Sequence, residues 1–150
     1  MRVMRLLLRH ISLIILMAAG LSATAKELPR YGVFVFSDEC VQNNQSGDVG
    51  GDRITLLRFP AGDMAIYQYG AGPSEGPILA EKVVIDPAKS SVRIEIQDEW
   101  GENATAGQPG LDVIEGDVSA EAMQVTLQGS KTRRRLPRIS GLPKPIPTCI

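Results

Sequence analysis

Beyond residue 25 the apolar residues of this chain recur at every second position in short runs, and Gly, Pro, Asn and Asp separate the runs. Val92, Ile94 and Ile96 alternate with Arg93, Glu95 and Gln97, and Met123, Val125 and Leu127 alternate with Gln124, Thr126 and Gln128. A period of two belongs to a strand with one buried and one wetted face. The pattern predicts strands over 31–37, 53–59, 64–69, 78–85, 91–98, 111–118 and 123–128. An eighth over 133–139 is confined to an edge or a bulge by Pro137, which has no backbone N–H to give to a ladder.

Turn chemistry supports the same division. Pro60-Ala61-Gly62-Asp63 and Ser119-Ala120-Glu121 are hairpin-scale connections, and Asp86-Pro87-Ala88-Lys89 places Asp and Pro where a type I turn favours them. Polar, glycine-rich loops are expected over 38–52, 70–77 and 99–110. Tyr31 to Ser37 is apolar on both parities, so this strand is expected to be covered on both faces. No stretch after residue 25 sustains a helical period. The expectation is therefore an all-β fold, an antiparallel meander of seven or eight short strands forming a small barrel or sandwich, behind an N-terminal signal peptide.

Arg2, Arg5 and Arg9 precede an apolar run from Ile11 to Leu21, and Ala23-Thr24-Ala25 follows it. That order of charge, hydrophobe and small residues is that of a secretory signal. The run falls short of the roughly 20 apolar residues that span a bilayer. Division of the chain follows: a cleaved signal over 1–25, a β domain over 26–141, and a proline-rich tail over 142–150 tied back by a disulfide. No transmembrane segment is expected after cleavage. The compact signal has a bacterial look, placing the protein in the periplasm or outside the cell.

Charge is unevenly spread. Residues 26–130 hold seven basic and seventeen acidic side chains, whereas from Lys131 onward there are six basic ones and no acid. The single histidine, His10, lies in the signal, so Ser-His-Asp and Cys-His catalysis and histidine zinc sites are excluded from the exported domain. No cofactor and no metal is expected. Cys40 and Cys149 are the only cysteines, and in an oxidising compartment they are expected to bridge, with the tail laid over strand one as cover for its second apolar face.

Three features are candidate contacts. Lys131, Arg133, Arg134, Arg135 and Arg138 form a basic cluster suited to phosphate or acidic-glycan oxygens, or else a solvated edge whose charges discourage aggregation. Tyr67 and Tyr69 share one strand face, opposite Met64 and Ile66, and either line a ligand cavity or pack in the core. Trp100 lies in the loop after strand 91–98, available to a partner or tucked over the core. Asp48 with Asp52, and Asp98, Glu99 and Glu102, are loop acids without a calcium-loop register. Asn44 and Asn103 match glycosylation acceptors that matter in a eukaryotic pathway alone. Nucleic acid is not an expected partner, because the exported chain is acidic.

In export, length and strand count the outline resembles small periplasmic β-barrels such as lysozyme inhibitors and lipocalin-like binders. The inhibitor-loop motif and the lipocalin Gly-x-Trp are absent, and no residue role carries over. What the sequence supports is an exported, non-enzymatic binding or envelope-associated module for a small ligand or envelope component. Its alternatives are a carboxylate-based glycan-acting enzyme and a purely structural accessory protein. N-terminal sequencing of the exported protein is expected to begin at Lys26; a chain that retains residues 1–25 after export would refute the cleaved-signal assignment.

Overall fold

A computed structural model describes residues 26–42, 48–71, 76–98, 110–127, 130–140 and 145–149. These form nine strands and no helix: β1 (Gly32–Ser37), β2 (Cys40–Val41), β3 (Val49–Phe59), β4 (Gly62–Ala71), β5 (Ile78–Asp86), β6 (Ser91–Asp98), β7 (Gly110–Val118), β8 (Ala122–Thr126) and β9 (Arg133–Ile139). The segment expected to be a signal, with the whole of residues 1–25, lies outside the described residues, as does Trp100.

From β3 to β9 each strand pairs antiparallel with the next, and β1 pairs with both β3 and β9. The sheet is thus a closed barrel of eight strands. β2 adds no ninth stave. Ser37 faces Arg53 and Cys40 faces Gly50 in one unbroken register on β3, so β1 and β2 are a single strand interrupted at Asp38 and Glu39.

The ring is laced unevenly. Pairing of β3 with β4 runs from Gly50↔Ala71 to Phe59↔Gly62, and that of β6 with β7 from Ser91↔Asp117 to Asp98↔Gly110. By contrast β4 meets β5 at Ile66↔Leu79 and Tyr67↔Ile78, and β1 meets β9 at Val35↔Ile139 and Phe36↔Arg138. Two well-laced walls are therefore joined along two thin seams. Pro137 sits where the second seam parts. Arg138 N–H donates to Glu121 O on the β8 side at 2.8 Å. The nitrogen of Pro137 therefore faces β1, at a level with no register pair, and its missing N–H is not needed.

Side chains of both walls meet in the lumen. Phe36, Ile54 and Leu56 pack against Ile94, Ile96, Ile114, Met123, Val125 and Leu136, each less than 2 % exposed. Burying each stabilises the fold by about 1.5–3 kcal/mol relative to exposure. The predicted alternations of β6 and β8 supply four of these nine, and their polar partners face outward as expected.

The two ends of the barrel differ. Connections 60–61, 87–90 and 119–121 close the lower end with tight turns. Asp86 Oδ1 accepts the N–H groups of Ala88 and Lys89 at 3.0 and 3.3 Å, and Ser119 Oγ those of Glu121 and Ala122 at 3.3 and 3.2 Å. Leu28 is buried across this end. Lys26 O accepts from Ala120 N–H at 2.8 Å and Pro29 O from Arg58 Nη1 at 3.1 Å. At the upper end the connections are longer, spanning 42–48, 72–77, 99–109 and 127–132.

Three expectations are corrected. β1 is not covered on both faces: Phe34 and Phe36 turn inward, while Val33 is 57 % exposed. Its second apolar parity belongs to an apolar outer wall. The tail, over its described residues 145–149, does not lie on that face. It runs edge to edge along β2, with Val41 N–H donating to Pro147 O at 2.7 Å and Cys149 N–H to Val41 O at 2.9 Å. Finally, the loop expected over 38–52 is partly strand. Gly51 makes this possible at φ +94°, because a Cβ there would lie 2.7 Å from Asp38 O.

The Cys40–Cys149 disulfide forms, with Cα atoms 4.9 Å apart across a sequence separation of 109. A bridge closing a loop of that size restricts the unfolded chain by about 4–5 kcal/mol in the loop-entropy picture. Cys149→Ser is expected to lower the free energy of unfolding by a margin of that order, read as a fall in the denaturant midpoint at unchanged slope, and reductant to do the same to the parent alone. An unchanged midpoint would mean that the edge pairing holds the tail unaided.

Candidate functional site

At the upper end, two acids, an arginine and a tyrosine from four strand segments converge inside the barrel. Asp52 and Arg134 stand on inward parities, two residues from Ile54 and Leu136 respectively, and Tyr67 is inward two residues from Ala65. Asp38 occupies the break between β1 and β2. Period-two alternation thus carries polar side chains into the lumen at the level where the apolar layers end.

The guanidinium of Arg134 bridges both acids, Nη1 to Asp52 Oδ2 and Nη2 to Asp38 Oδ2. Asp52 Oδ1 accepts the Tyr67 hydroxyl at 2.7 Å, and Asp38 Oδ1 accepts the Asp52 N–H at 2.8 Å. Asp38 N–H returns to Asp52 O at 3.1 Å. Every oxygen of the two carboxylates therefore accepts a bond within the cluster. Tyr69 stacks on Tyr67 with ring centroids 5.8 Å apart, and Glu39 pairs with Arg53 at 2.5 Å on the adjoining strands.

Burial pushes the Asp52 carboxyl above the usual carboxylate range. The Tyr67 hydrogen bond and the Arg134 guanidinium pull it down, and Asp38 and Glu39 add to the rise. Chemically the cluster holds charge in place. Its donors and acceptors satisfy one another, and Arg134 on β9 is linked to Asp38 and Asp52 across the thin β1–β9 seam.

The structure divides the basic cluster by strand parity. Arg134 points inward to the clasp, whereas Arg133 points outward, bonded to Asp117 Oδ2 at 2.6 Å and to Gln124 O at 3.1 Å. Arg135 lies exposed on the same outer wall beside Gln124 and Glu121, and Lys131 is exposed ahead of the strand. Arg138 lies 4.9 Å from the Phe34 ring and donates to Ala120 O at 3.1 Å. Tyr67 and Tyr69 do share one face, the inner one. Asp52 is brought to Asp38. Among the described residues no set of three or more metal-ligating side chains assembles.

Nothing in the sequence singles out Asp38, and Asp52 falls in the span expected to be a loop. A signal for Asp52 was present: it precedes Ile54 and Leu56 by the same two-residue step, so a strand extended upward makes it inward and in need of a cation. No signal along the chain joins Asp38 to Arg134, which is 96 residues away.

The fold and this cluster define a small, closed, up-and-down antiparallel barrel with an internal polar clasp. No family model, no curated protein and no solved structure matches the chain.

Arg134→Met removes the shared cation and leaves two carboxylates facing each other. Since the guanidinium is 39 % exposed, the loss at pH 7 is expected at about 2 kcal/mol, below that for a fully buried pair. Asp52 titration, followed by carboxyl carbon NMR, is expected to move further upward in this variant. In the parent, folded Asp52 holds its proton more tightly than the unfolded chain does. Its contribution to stability is complete below the ordinary carboxylate value and is lost as pH rises through the raised one. The stability of the parent relative to Asp52→Asn is therefore expected to be greater near about pH 3 than at pH 7; a difference independent of pH would contradict a raised value.

Proposed function

We propose that this chain is an exported, non-enzymatic binding module that meets an envelope component with the upper end of its barrel. The observation that carries the proposal is the inequality of the two ends. Tight turns and Leu28 close one end, while the strand ends that flank the four longer connections lie at the other, the end that holds the Asp38–Asp52–Arg134–Tyr67 clasp. A rigid barrel that gathers its longer connections on one rim is a common way of presenting a contact surface.

A carrier of a small ligand in the middle of the barrel has less support, because the mid-lumen is filled by apolar side chains less than 2 % exposed. Placement of contacts at the rim fits that packing. The clasp supports binding over catalysis: its carboxylate oxygens are all engaged by the protein, which leaves no acid and base arranged for a substrate. Export rests on the arginine, apolar and small-residue order of 1–25.

Trp100 is the single tryptophan and lies in sequence between β6 and β7, so its emission is the probe of a change in that connection. The exported protein, titrated with soluble peptidoglycan fragments and with phosphatidylglycerol vesicles, is expected to show with one of them a saturable change in emission. A rise in melting temperature of several degrees at saturation, on the order of 2 kcal/mol or more, is expected alongside. No change with either probe would overturn the proposed contact, and turnover of the glycan would replace binding by enzymatic activity.

A further inference from the structure

We infer that the apolar outer wall formed by β1, β3 and β4, with the flanking ends of β9 and β5, is the docking face for a second copy of this chain. The registers place Ile139, Val35, Thr55, Ile66 and Leu79 side by side in one row across five strands. Val33, Leu57 and Met64 form the next row, and Phe59 continues the face below it. Val33, Leu79, Met64, Phe59 and Ile139 are all exposed, Leu79 to 55 %. None of these nine side chains is charged.

With strands about 4.8 Å apart and same-face side chains repeating about every 6.8 Å, nine such positions cover roughly 300 Å². The largest exposed apolar patch of a single chain is of about this size and is often functional. The patch matches the apolar centre of a standard interface of about 800 Å² per partner, whose remainder is polar rim. Here the margins are polar: Arg53 is paired with Glu39, and Arg30 lies 5.1 Å from the Tyr31 ring.

Charge selects the occupant. The opposite wall carries Arg93 bonded to Glu95 and Glu115, and Arg133 bonded to Asp117. Residues 26–150 hold seventeen acids against thirteen basic side chains, so two copies, each net negative, repel weakly as they approach. The uncharged wall lets them approach without that cost. A two-fold contact also needs a patch complementary to itself, which an uncharged apolar sheet face is. A lipid surface would instead favour a cluster of unpaired cations beside the apolar face, whereas at its margins Arg53 is paired with Glu39 and Arg30 is a single cation against Tyr31. Arg133 and Arg135 stand on the charged wall, and Arg134 is inside the barrel.

Sedimentation of the protein purified from cells expressing the full-length chain is expected to give a dimer at about 100 μM, weakening on dilution as mass action requires. Val33→Lys and Met64→Lys, made separately at exposed positions, are each expected to weaken the association by about a hundredfold or more while keeping a cooperative melt. Glu115→Lys, on the charged wall, is expected to leave the dimer intact. A monomeric parent at about 100 μM overturns the inference, as does a dimer that persists in both lysine variants. If one variant fails to melt cooperatively, the other decides. Co-sedimentation of a monomeric parent with phosphatidylglycerol vesicles, lost in the same variants, would give the wall to a lipid surface instead. Emission of Trp100 under added glycan is independent of these outcomes, so failure of the dimer and failure of the rim contact are read separately.

Discussion

Closure of this barrel depends on a seam that its backbone joins sparsely. β1 and β9 share two register positions, Val35↔Ile139 and Phe36↔Arg138, before the strands part at Pro137. Above that point the joint passes to side chains: Arg134 from β9 bridges Asp38 and Asp52, and Asp52 is held in turn by Tyr67 on β4. One guanidinium in reach of two carboxylates suits such a joint, because its donors are fixed in a planar fork and can engage two partners at once. Asp52 is nearly buried, so without its partners it would carry the full cost of desolvation. The same burial that raises its proton affinity makes the bridge to Arg134 worth keeping.

The same seam accounts for the placement of the tail. Where β9 leaves β1, the edge of β2 is open, and Pro147 and Cys149 occupy it through backbone hydrogen bonds to Val41. The disulfide to Cys40 keeps this short segment from competing with its own entropy. An exposed strand edge is a template for association with other chains, and covering it with the tail removes that hazard at this point. The tail and the clasp therefore act on opposite sides of one weakness, the tail along the strand edge and the clasp inside.

With the lumen filled, the barrel presents its outer surface alone. There the surface is divided twice, into a closed and a loop-bearing end and into an apolar and a charged wall. The second division arises from outward parities: Val33, Leu57 and Met64 on β1, β3 and β4, against Arg93, Glu115 and Arg133 on β6, β7 and β9. Neither division follows from the core, which would be equally stable behind a uniformly polar exterior.

Local features can be read along the chain. Alternation in β6 and β8, the Asp86 turn, the serine-capped turn at 119–121 and the strand containing Pro137 were all legible, because each depends on residues within a few positions of one another. The pairing of Cys40 with Cys149 was legible from their number and the expected compartment. Tertiary structure decided what depends on register and closure. Apolar residues on both parities of β1 looked like a call for cover on both faces, since a sequence cannot distinguish a doubly buried strand from one whose outer face joins a neighbouring apolar wall. Three successive arginines looked like one patch, yet strand parity sends Arg134 inward and Arg133 and Arg135 outward. Asp38 and Arg134 meet across 96 residues only because the ring closes and brings the first strand beside the last. Parity is a local property and can be read along a chain; which strand lies next to which is not.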